Sequence, residues 1–390
     1  MSEKGKAEPS SNIENRLRSL REAKRFSQSD LAGRAGVTRQ AIYAIEANQY
    51  LPTTAVSLRL AGALGCRVED LFSLVSSGEV IEGEFIGPDP VQDRMRVKVA
   101  HVGNRTVVRP VAQLGDVLNF TVPADGLLRD PVSGVRIGKG HVRVELIRDR
   151  RLIDEEVVVA GCDPAIFLVG EYLRRRHDHA SVVGWTMGSA AALDAVKRSE
   201  VHMAGIHVQD AKSGEWNLPY LRRRLNVSDF TVVTFANWEE GLIVKAGSRK
   251  AITGVADLAR KDVRMVNREE GSGARQLLDR RLAKEGISRR DVKGYDRVVP
   301  SHLEVARLVA EGVVDAGLGV RSAATLLGLK FIPLQEERYD LVIPTCHLAQ
   351  HPGLSMFLDT IVSRPFRAEI EALGGYDTRH TGRIQELRNR

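Results

Sequence analysis

At 390 residues the chain is too long for one hydrophobic core, and two or three domains are expected. Hydrophobic residues make up 43%, an ordinary share for a soluble globular protein, and the net charge is +7. No apolar run reaches the roughly 18 residues of a membrane span, the polar start Met1-Ser-Glu-Lys-Gly-Lys-Ala-Glu8 has no signal-peptide core, and three scattered cysteines (Cys66, Cys162, Cys346) offer no disulfide or zinc framework. The pattern suits a cytoplasmic protein with reduced thiols.

Residues 1–11 are polar and rich in Ser and charge, as a disordered tail would be. A helical bundle is expected over 12–77, and residues 1–77 hold eleven Lys/Arg against eight Asp/Glu, a net of +3. Ile13, Leu17 and Leu20 mark an amphipathic first helix that also carries Arg16, Arg18 and Arg21. Ser27-Gln28 opens a second helix whose Leu31, Ala32 and Ala35 share one face, and Gly36 permits a tight turn. Thr38 caps a third helix, with Ala41, Ile42 and Ile45 on one side and Arg39, Gln40 and Tyr43 on the other. A fourth helix starts at Pro52-Thr53-Thr54 and runs through Leu58, Leu60, Ala61 and Leu64 to Gly65; Val68-Glu69-Asp70-Leu71-Phe72 closes the bundle.

Two short helices joined by a Gly-containing turn form a helix-turn-helix. The stretch resembles the lambda-repressor/Cro-like (XRE) family, and the match continues on both sides. The resemblance implies double-stranded DNA as a partner, read by the third helix in the major groove. Gln28 and Thr38 are expected at phosphates and Arg39, Gln40 and Tyr43 at base edges. Half-site geometry leads us to expect a homodimer.

From Gly78 to about residue 155 the texture turns to short β-rich runs: Val80–Phe85, Met95–Val102, Thr106–Val111, Val135–Ile137 and Val142–Ile147. Gly87-Pro88-Asp89-Pro90, Gly103-Asn104 and Ala124-Asp125-Gly126 break them, and Gly103-Asn104 reads as a two-residue hairpin turn. We expect a small β-rich connector with no chemistry of its own; its Gly138-Lys139-Gly140 is a β-turn rather than a phosphate loop.

From Glu156 strands and helices alternate, which implies βαβ units and a parallel sheet. Strands are expected at Val157–Ala160, Ala180–Gly184, Val201–Ile206, Thr231–Phe235, Gly241–Val244, Val263–Val266, Asp315–Val320, Phe331–Leu334 and Tyr339–Ile343. A two-lobed α/β domain over 156–380 follows, with a basic, frayed tail at 381–390. Within it, Asn267-Arg-Glu-Glu-Gly-Ser-Gly-Ala-Arg275 links a buried strand to a helix start. Gly271 and Gly273 let backbone N–H groups turn toward a ligand, Ser272 adds a hydroxyl, Arg268 or Arg275 adds charge, and the helix N-terminus adds its dipole. The Gly-Lys-Ser/Thr ending of a Walker loop is missing. Gly161-Cys162-Asp163-Pro164, Thr186-Met187-Gly188-Ser189 and Pro300-Ser301-His302 also sit between a strand's end and a helix's start, where open α/β sheets bind ligands. The candidate ligand site is therefore Cys162, Asp163, Thr186, Ser189, Asn267, Arg268, Gly271, Ser272, Gly273, Arg275, Ser301 and His302.

The segment, through Ala160–Ala165, Val201–His207, Asn267–Arg275, Asp315–Gly319, Phe331–Leu334 and Glu337–Val342, resembles the periplasmic-binding-protein-like domain of cytoplasmic regulators, related in fold to type II binding proteins. The resemblance implies two lobes closing on a small ligand, with Gly241–Val244 and Tyr339–Ile343 as hinge-crossing strands. Relatives tied to molybdenum metabolism imply molybdate, tungstate or a molybdopterin-related effector; a small organic acid fits the same loops. No cofactor and no metal are expected: His177-Asp178-His179 reads as a solvated helix end, and His347 with His351 lacks the Glu of a zincin. Cys162, at a helix N-terminus, is a ligand contact, with redox chemistry as a lesser option. The expected architecture is thus multidomain: an all-α helix-turn-helix bundle, a β-rich connector and a two-lobed α/β domain. The expected function is a ligand-responsive transcriptional regulator. An enzyme of molybdenum-cofactor metabolism is the weaker alternative, because no catalytic base can be placed beside Cys162.

Overall fold

A computed structural model describes residues 13–74, 79–87, 94–111, 122–129, 140–177 and 180–385. The expected tail at 1–11, the strand Val135–Ile137, Pro88-Asp89-Pro90, Gly138-Lys139, Asp178-His179 and the last five residues lie outside these. The chain divides into two compact units, one of residues up to Glu79 with Glu145–Asp149, the other of Val80–Val144 with Arg150 onward.

In the first unit, strand β1 (Ile13–Asn15) leads to helices α1 (Leu17–Ala23), α2 (Gln28–Ala35), α3 (Arg39–Glu46), α4 (Thr54–Leu64) and α5 (Val68–Leu71), then strand β2 (Phe72–Leu74). The caps explain the boundaries. Ser27 accepts a bond from Asp30 N–H at 3.1 Å while Asp30 accepts from Ser27 N–H at 2.9 Å, a capping box. Thr38 and Thr53 cap α3 and α4 in the same way. Gly36 (φ 63°) and Gly65 (φ 66°) end α2 and α4 in the left-handed conformation. Leu17, Leu31, Ile42, Ile45, Leu60 and Leu71 form the sealed core.

One expectation is corrected here. Ile13 is not helical: Ile13–Asn15 pairs antiparallel with Phe72–Leu74, so α1 begins only at Leu17. Arg21, carried on α1, is buried. Its Nε and Nη2 donate to Glu46 at 2.6 and 3.1 Å, and its Nη1 donates to the Phe26 carbonyl at 2.8 Å. Burial would raise the Glu46 carboxyl, but hydrogen bonds from Arg21 and Gln28 outweigh it and hold it below the usual range.

Next in the chain comes a closed barrel of β3 (Val80–Phe85), β4 (Arg96–Val102), β5 (Arg105–Pro110), β6 (Gly126–Arg129) and β7 (His141–Leu146), all in the second unit but for the last two residues of β7. The β4–β5 hairpin turns through Gly103 (φ 58°) and Asn104, as the sequence predicts. β6 was not expected, because its four residues follow directly on a turn signal. The β-rich segment is also less independent than a connector. Val102, Val107 and Val111 share a hydrophobic cluster with Trp185, Ala192 and Val196 of the α/β domain. Buried Lys98 joins Asp125 at 2.7 Å to Glu156 at 2.6 Å.

After α6 (Arg150–Asp154) come β8 (Glu156–Gly161), α7 (Ile166–Arg176), β9 (Ser181–Thr186), α8 (Ser189–Lys197), β10 (Met203–Ile206), α9 (Leu218–Arg222) and β11 (Phe230–Val244). The second lobe adds β12 (Met265–Arg268), α10 (Gly273–Lys284), β13 (Val298–Val299), α11 (His302–Ala310), β14 (Ala316–Val320) and α12 (Arg321–Leu326). β15 (Lys330–Pro344), α13 (Thr345–Gln350), α14 (Pro352–Val362), α15 (Arg364–Ala372), β16 (Tyr376–Asp377) and β17 (Ile384–Gln385) complete the chain.

Strands run in the order β13-β12-β14-β11-β15-β10-β8-β9. β8, β9 and β10 are parallel in one lobe, and β12, β13 and β14 are parallel in the other. Antiparallel β11 and β15 cross between them. Each crossing strand is continuous over 15 residues, where the sequence suggests two short strands. Register shifts at Thr234/Ala236 and Glu240/Gly241 absorb the interruptions. The end of the chain is corrected as well: Ile384 and Gln385 pair with Val233 and Val232, and Thr381 donates to the Phe235 carbonyl at 2.6 Å, so 381–385 belong to the sheet.

Candidate functional site

Four strand-to-helix loops meet between the lobes, as the spacing suggests. Gly188 packs against Glu269 and Ser272, and Gly273 packs against His207, so a methyl group at either glycine would collide with the other lobe. The lobes are closed. At their meeting point lies a fully buried polar cluster built around His207.

Cys162, after β8, places Sγ 3.3 Å from His207 Nε2. On the other edge of that ring, Nδ1 lies 2.5 Å from Glu337 Oε2 and 3.6 Å from Glu240 Oε2. His302, first residue of α11, has Nδ1 3.9 Å from Glu240 Oε1. Ser189 fixes His207 through its backbone, accepting from the N–H at 3.1 Å. Arg268 is fully buried: Nε and Nη2 donate to Glu269 and to the carbonyls of Val299 and Pro300, while Nη1 has no hydrogen-bond partner.

Burial governs the protonation of the cluster. It pushes Glu337 up to about 7, and it lifts Glu240 well above the usual range with the Glu337 charge adding to it. Burial alone would lower His207, but the Cys162 sulfur and the Glu240 carboxyl hold it above its usual value. His302 has no such support and falls well below, through burial and the charges of Arg268 and His207. Asp163, beside the cluster, is raised to about 7 by burial; its Oδ1 accepts from Tyr376 at 2.7 Å and from Ala165 N–H at 2.8 Å.

Of the expected site residues, Cys162, Ser189, Arg268, Ser272, Gly273 and His302 gather at this junction. Asp163, Thr186 and Ser301 line a narrow cleft next to Cys162. Three hydroxyls expected for a ligand are already engaged, since Ser272 and Ser301 cap α10 and α11 and Ser189 holds His207. Gly271 (φ 84°) shapes its loop. Two expectations are corrected. Arg275 turns away to Tyr295, with Nε 3.0 Å from the hydroxyl and its guanidinium 3.9 Å above the ring. Asn267 is buried, but its side chain bonds the Tyr295 carbonyl and the Arg268 N–H.

Sequence reasoning missed His207 as a functional residue, along with Glu240 and Glu337. Local signal was slight: Glu240 and Glu337 stand in polar stretches of β11 and β15, and His207 directly follows β10. With Cys162 and His302 they bring metal-ligand side chains together in two overlapping buried groups, Cys162/His207/His302 and His207/Glu240/Glu337.

On the first unit, α3 presents Arg39, Gln40 and Tyr43 to solvent, Tyr43 being 57% exposed. Thr38 uses its hydroxyl to cap α3, accepting from Ala41 N–H at 3.1 Å, and Gln28 donates to Glu46 at 2.9 Å.

Residues 17–71 match the model of a helix-turn-helix family, and residues 170–362 match that of the PBP superfamily domain. The uncharacterized protein YvgK of Bacillus subtilis is 33% identical over 229 residues, which cover 58% of this chain and 73% of that protein. This chain belongs to the PBP superfamily. The N-terminal unit matches separately: an uncharacterized HTH-type transcriptional regulator of Methanocaldococcus jannaschii is 37% identical over 60 residues, 15% of this chain and 91% of that protein. A helix-turn-helix DNA-binding domain thus stands in one chain with a PBP-superfamily ligand-binding domain, the arrangement of a ligand-responsive transcription regulator. No helix among the described residues is long and apolar enough to cross a membrane.

Proposed function

We propose that this regulator works in the cytoplasm as a homodimer and senses a small anion enclosed between its lobes, with molybdate, tungstate or a molybdopterin-related ligand as first candidates. The observation that carries the reading is Arg268, a fully buried guanidinium with one unpartnered nitrogen beside the starts of α10 and α11. A buried donor without a partner is costly unless a ligand satisfies it, and the neighbouring helix N-termini favour negative charge. The second candidate, a small organic acid, would meet the same buried guanidinium.

On the DNA side, Arg39, Gln40 and Tyr43 face base edges, and Thr38 and Gln28 lie near the phosphates through the start of α3 and α2. An anion that favours the closed lobes shifts the population of closed chains and with it the DNA-bound fraction. The test is a thermal-shift titration of the full chain with molybdate and tungstate, using sulfate and phosphate as controls. A ligand at 100 times its Kd adds about 2.7 kcal/mol. A selective rise that Arg268→Met removes supports the oxyanion. No rise with any oxyanion discards it, and small organic acids are then titrated in its place.

A further inference from the structure

We infer that Cys162, His207 and His302 form the site of a single transition-metal ion, of the zinc, cobalt or nickel kind, closed when the two lobes meet. The inference rests on the reading of the inter-lobe cleft as the effector site, and it adds a cation to the anion proposed there. Cys162 and His207 follow strands of one lobe, while His302 opens a helix of the other. Their ligand atoms lie within 4.8 Å of one another, and all three side chains are buried. The Cys162 Sγ to His207 Nε2 separation of 3.3 Å is close to the roughly 3.5 Å between sulfur and nitrogen ligands on one tetrahedral zinc ion.

The surroundings fit an ion better than a bare cluster. His302 is fully buried, and neither ring nitrogen has a hydrogen-bond partner. Both Glu240 oxygens also lack one. Orphaned groups of this kind are rare in folded proteins and ask for a missing partner. His207 holds its Nδ1 edge on Glu337 and turns Nε2 toward Cys162, the arrangement in which a carboxylate orients a metal-bound histidine. Glu240 Oε1 lies 3.9 Å from His302 Nδ1, outside hydrogen-bond range. A thiolate with two imidazoles selects borderline-soft ions over magnesium or calcium. Three protein ligands leave a fourth position open, where an oxygen of an anion near Arg268 is accommodated. The ion would also supply the positive charge that an anion needs next to Glu240 and Glu337.

The test uses the full-length protein, stripped with a chelator and reloaded with cobalt(II). We expect one ion per chain by elemental analysis, with a thiolate-to-cobalt charge-transfer band and the strong visible bands of a tetrahedral site. Cys162→Ser should lose the charge-transfer band, His302→Gln should weaken uptake at least about 10-fold, and Glu337→Gln, a positioning change, should weaken it about 10- to 100-fold. Far-UV circular dichroism checks that each variant folds, and the wild-type spectrum alone decides where one does not. Less than one ion per chain, or a charge-transfer band that survives Cys162→Ser, overturns the inference. Molybdate is titrated into both stripped and cobalt-loaded protein. Stabilisation of the stripped protein with no cobalt uptake leaves the anion reading standing and removes the metal; cobalt uptake with no response to any anion does the reverse.

Discussion

Removing Glu46 should strand a buried charge in the helix-turn-helix. Arg21 and Glu46 form a two-pronged ion pair at 2.6 and 3.1 Å, with only 10% and 5% of their side chains exposed. The pair ties α1 to the end of α3, the helix that presents Arg39, Gln40 and Tyr43. Breaking such a pair from one side costs about 3–5 kcal/mol, because the remaining charge keeps its burial penalty. Here Arg21 retains the Phe26 carbonyl and a 3.5 Å contact to Glu22, which is about half exposed, so the low end applies: about 3 kcal/mol for Glu46→Ala. Replacing both residues, as in Arg21→Met with Glu46→Leu, should cost less than Glu46→Ala alone. Urea unfolding of the full chain reads this cleanly. The protein has three tryptophans, Trp185, Trp216 and Trp238, all in the second unit, so their fluorescence ignores the helix-turn-helix while far-UV circular dichroism senses both. Glu46→Ala should move an early circular-dichroism transition and leave the tryptophan transition in place. A loss below about 1 kcal/mol, or a double variant no better than the single one, refutes the argument.

Further tests reach the other parts of the chain. Arg39→Ala should cost about 1–3 kcal/mol of operator affinity and relax specificity at one base pair, as read by competition against single-base operator variants; unchanged selectivity removes the assignment. His202 is buried and neutral: Val158 N–H donates to Nδ1 at 3.0 Å, Nε2 faces the His101 carbonyl at 2.9 Å, and the rings of His351 and His347 stand 4.3 and 5.9 Å away. Burial first, then the His351 charge, lowers it from 6.5 to about 3. Its contribution is therefore complete above about pH 6.5 and declines as pH falls toward 3, by about 3 kcal/mol between pH 7 and pH 4; tryptophan-detected unfolding of wild type and His202→Gln should differ in that slope, and equal slopes contradict it. Gly205→Ala would drive a methyl group into the Tyr339 ring and should destabilise the α/β domain by about 1–3 kcal/mol, with Tyr339→Phe no remedy because the ring itself is in the way.

Legibility in the sequence followed how local the physics was. The bundle could be read because caps and turns sit beside the helices they end, as Ser27, Gly36, Thr38 and Gly65 do. The crossing strands looked broken because Gln335-Glu-Glu-Arg338 is polar, yet those residues pair along β11 and turn Glu337 into the cleft. The four loops between the lobes announced themselves through strand-to-helix punctuation. What filled the site did not, since His207 meets Glu337 across 130 residues of chain and Cys162 across 45. Arg275 misled because its neighbour in space, Tyr295, is 20 residues away. The end of the chain looked frayed because basic residues flank Ile384, whose partner Val233 lies in a strand formed much earlier.

The most direct test of the central claim couples the two halves of the molecule. Genomic fragments retained by the full-length protein would serve as operators, with affinity measured by fluorescence anisotropy in the absence and presence of the ligand that raises the melting temperature. Linkage predicts a change of about 5- to 150-fold in DNA affinity, with the same factor in ligand affinity when operator is present. An affinity identical with and without a saturating ligand would contradict the account.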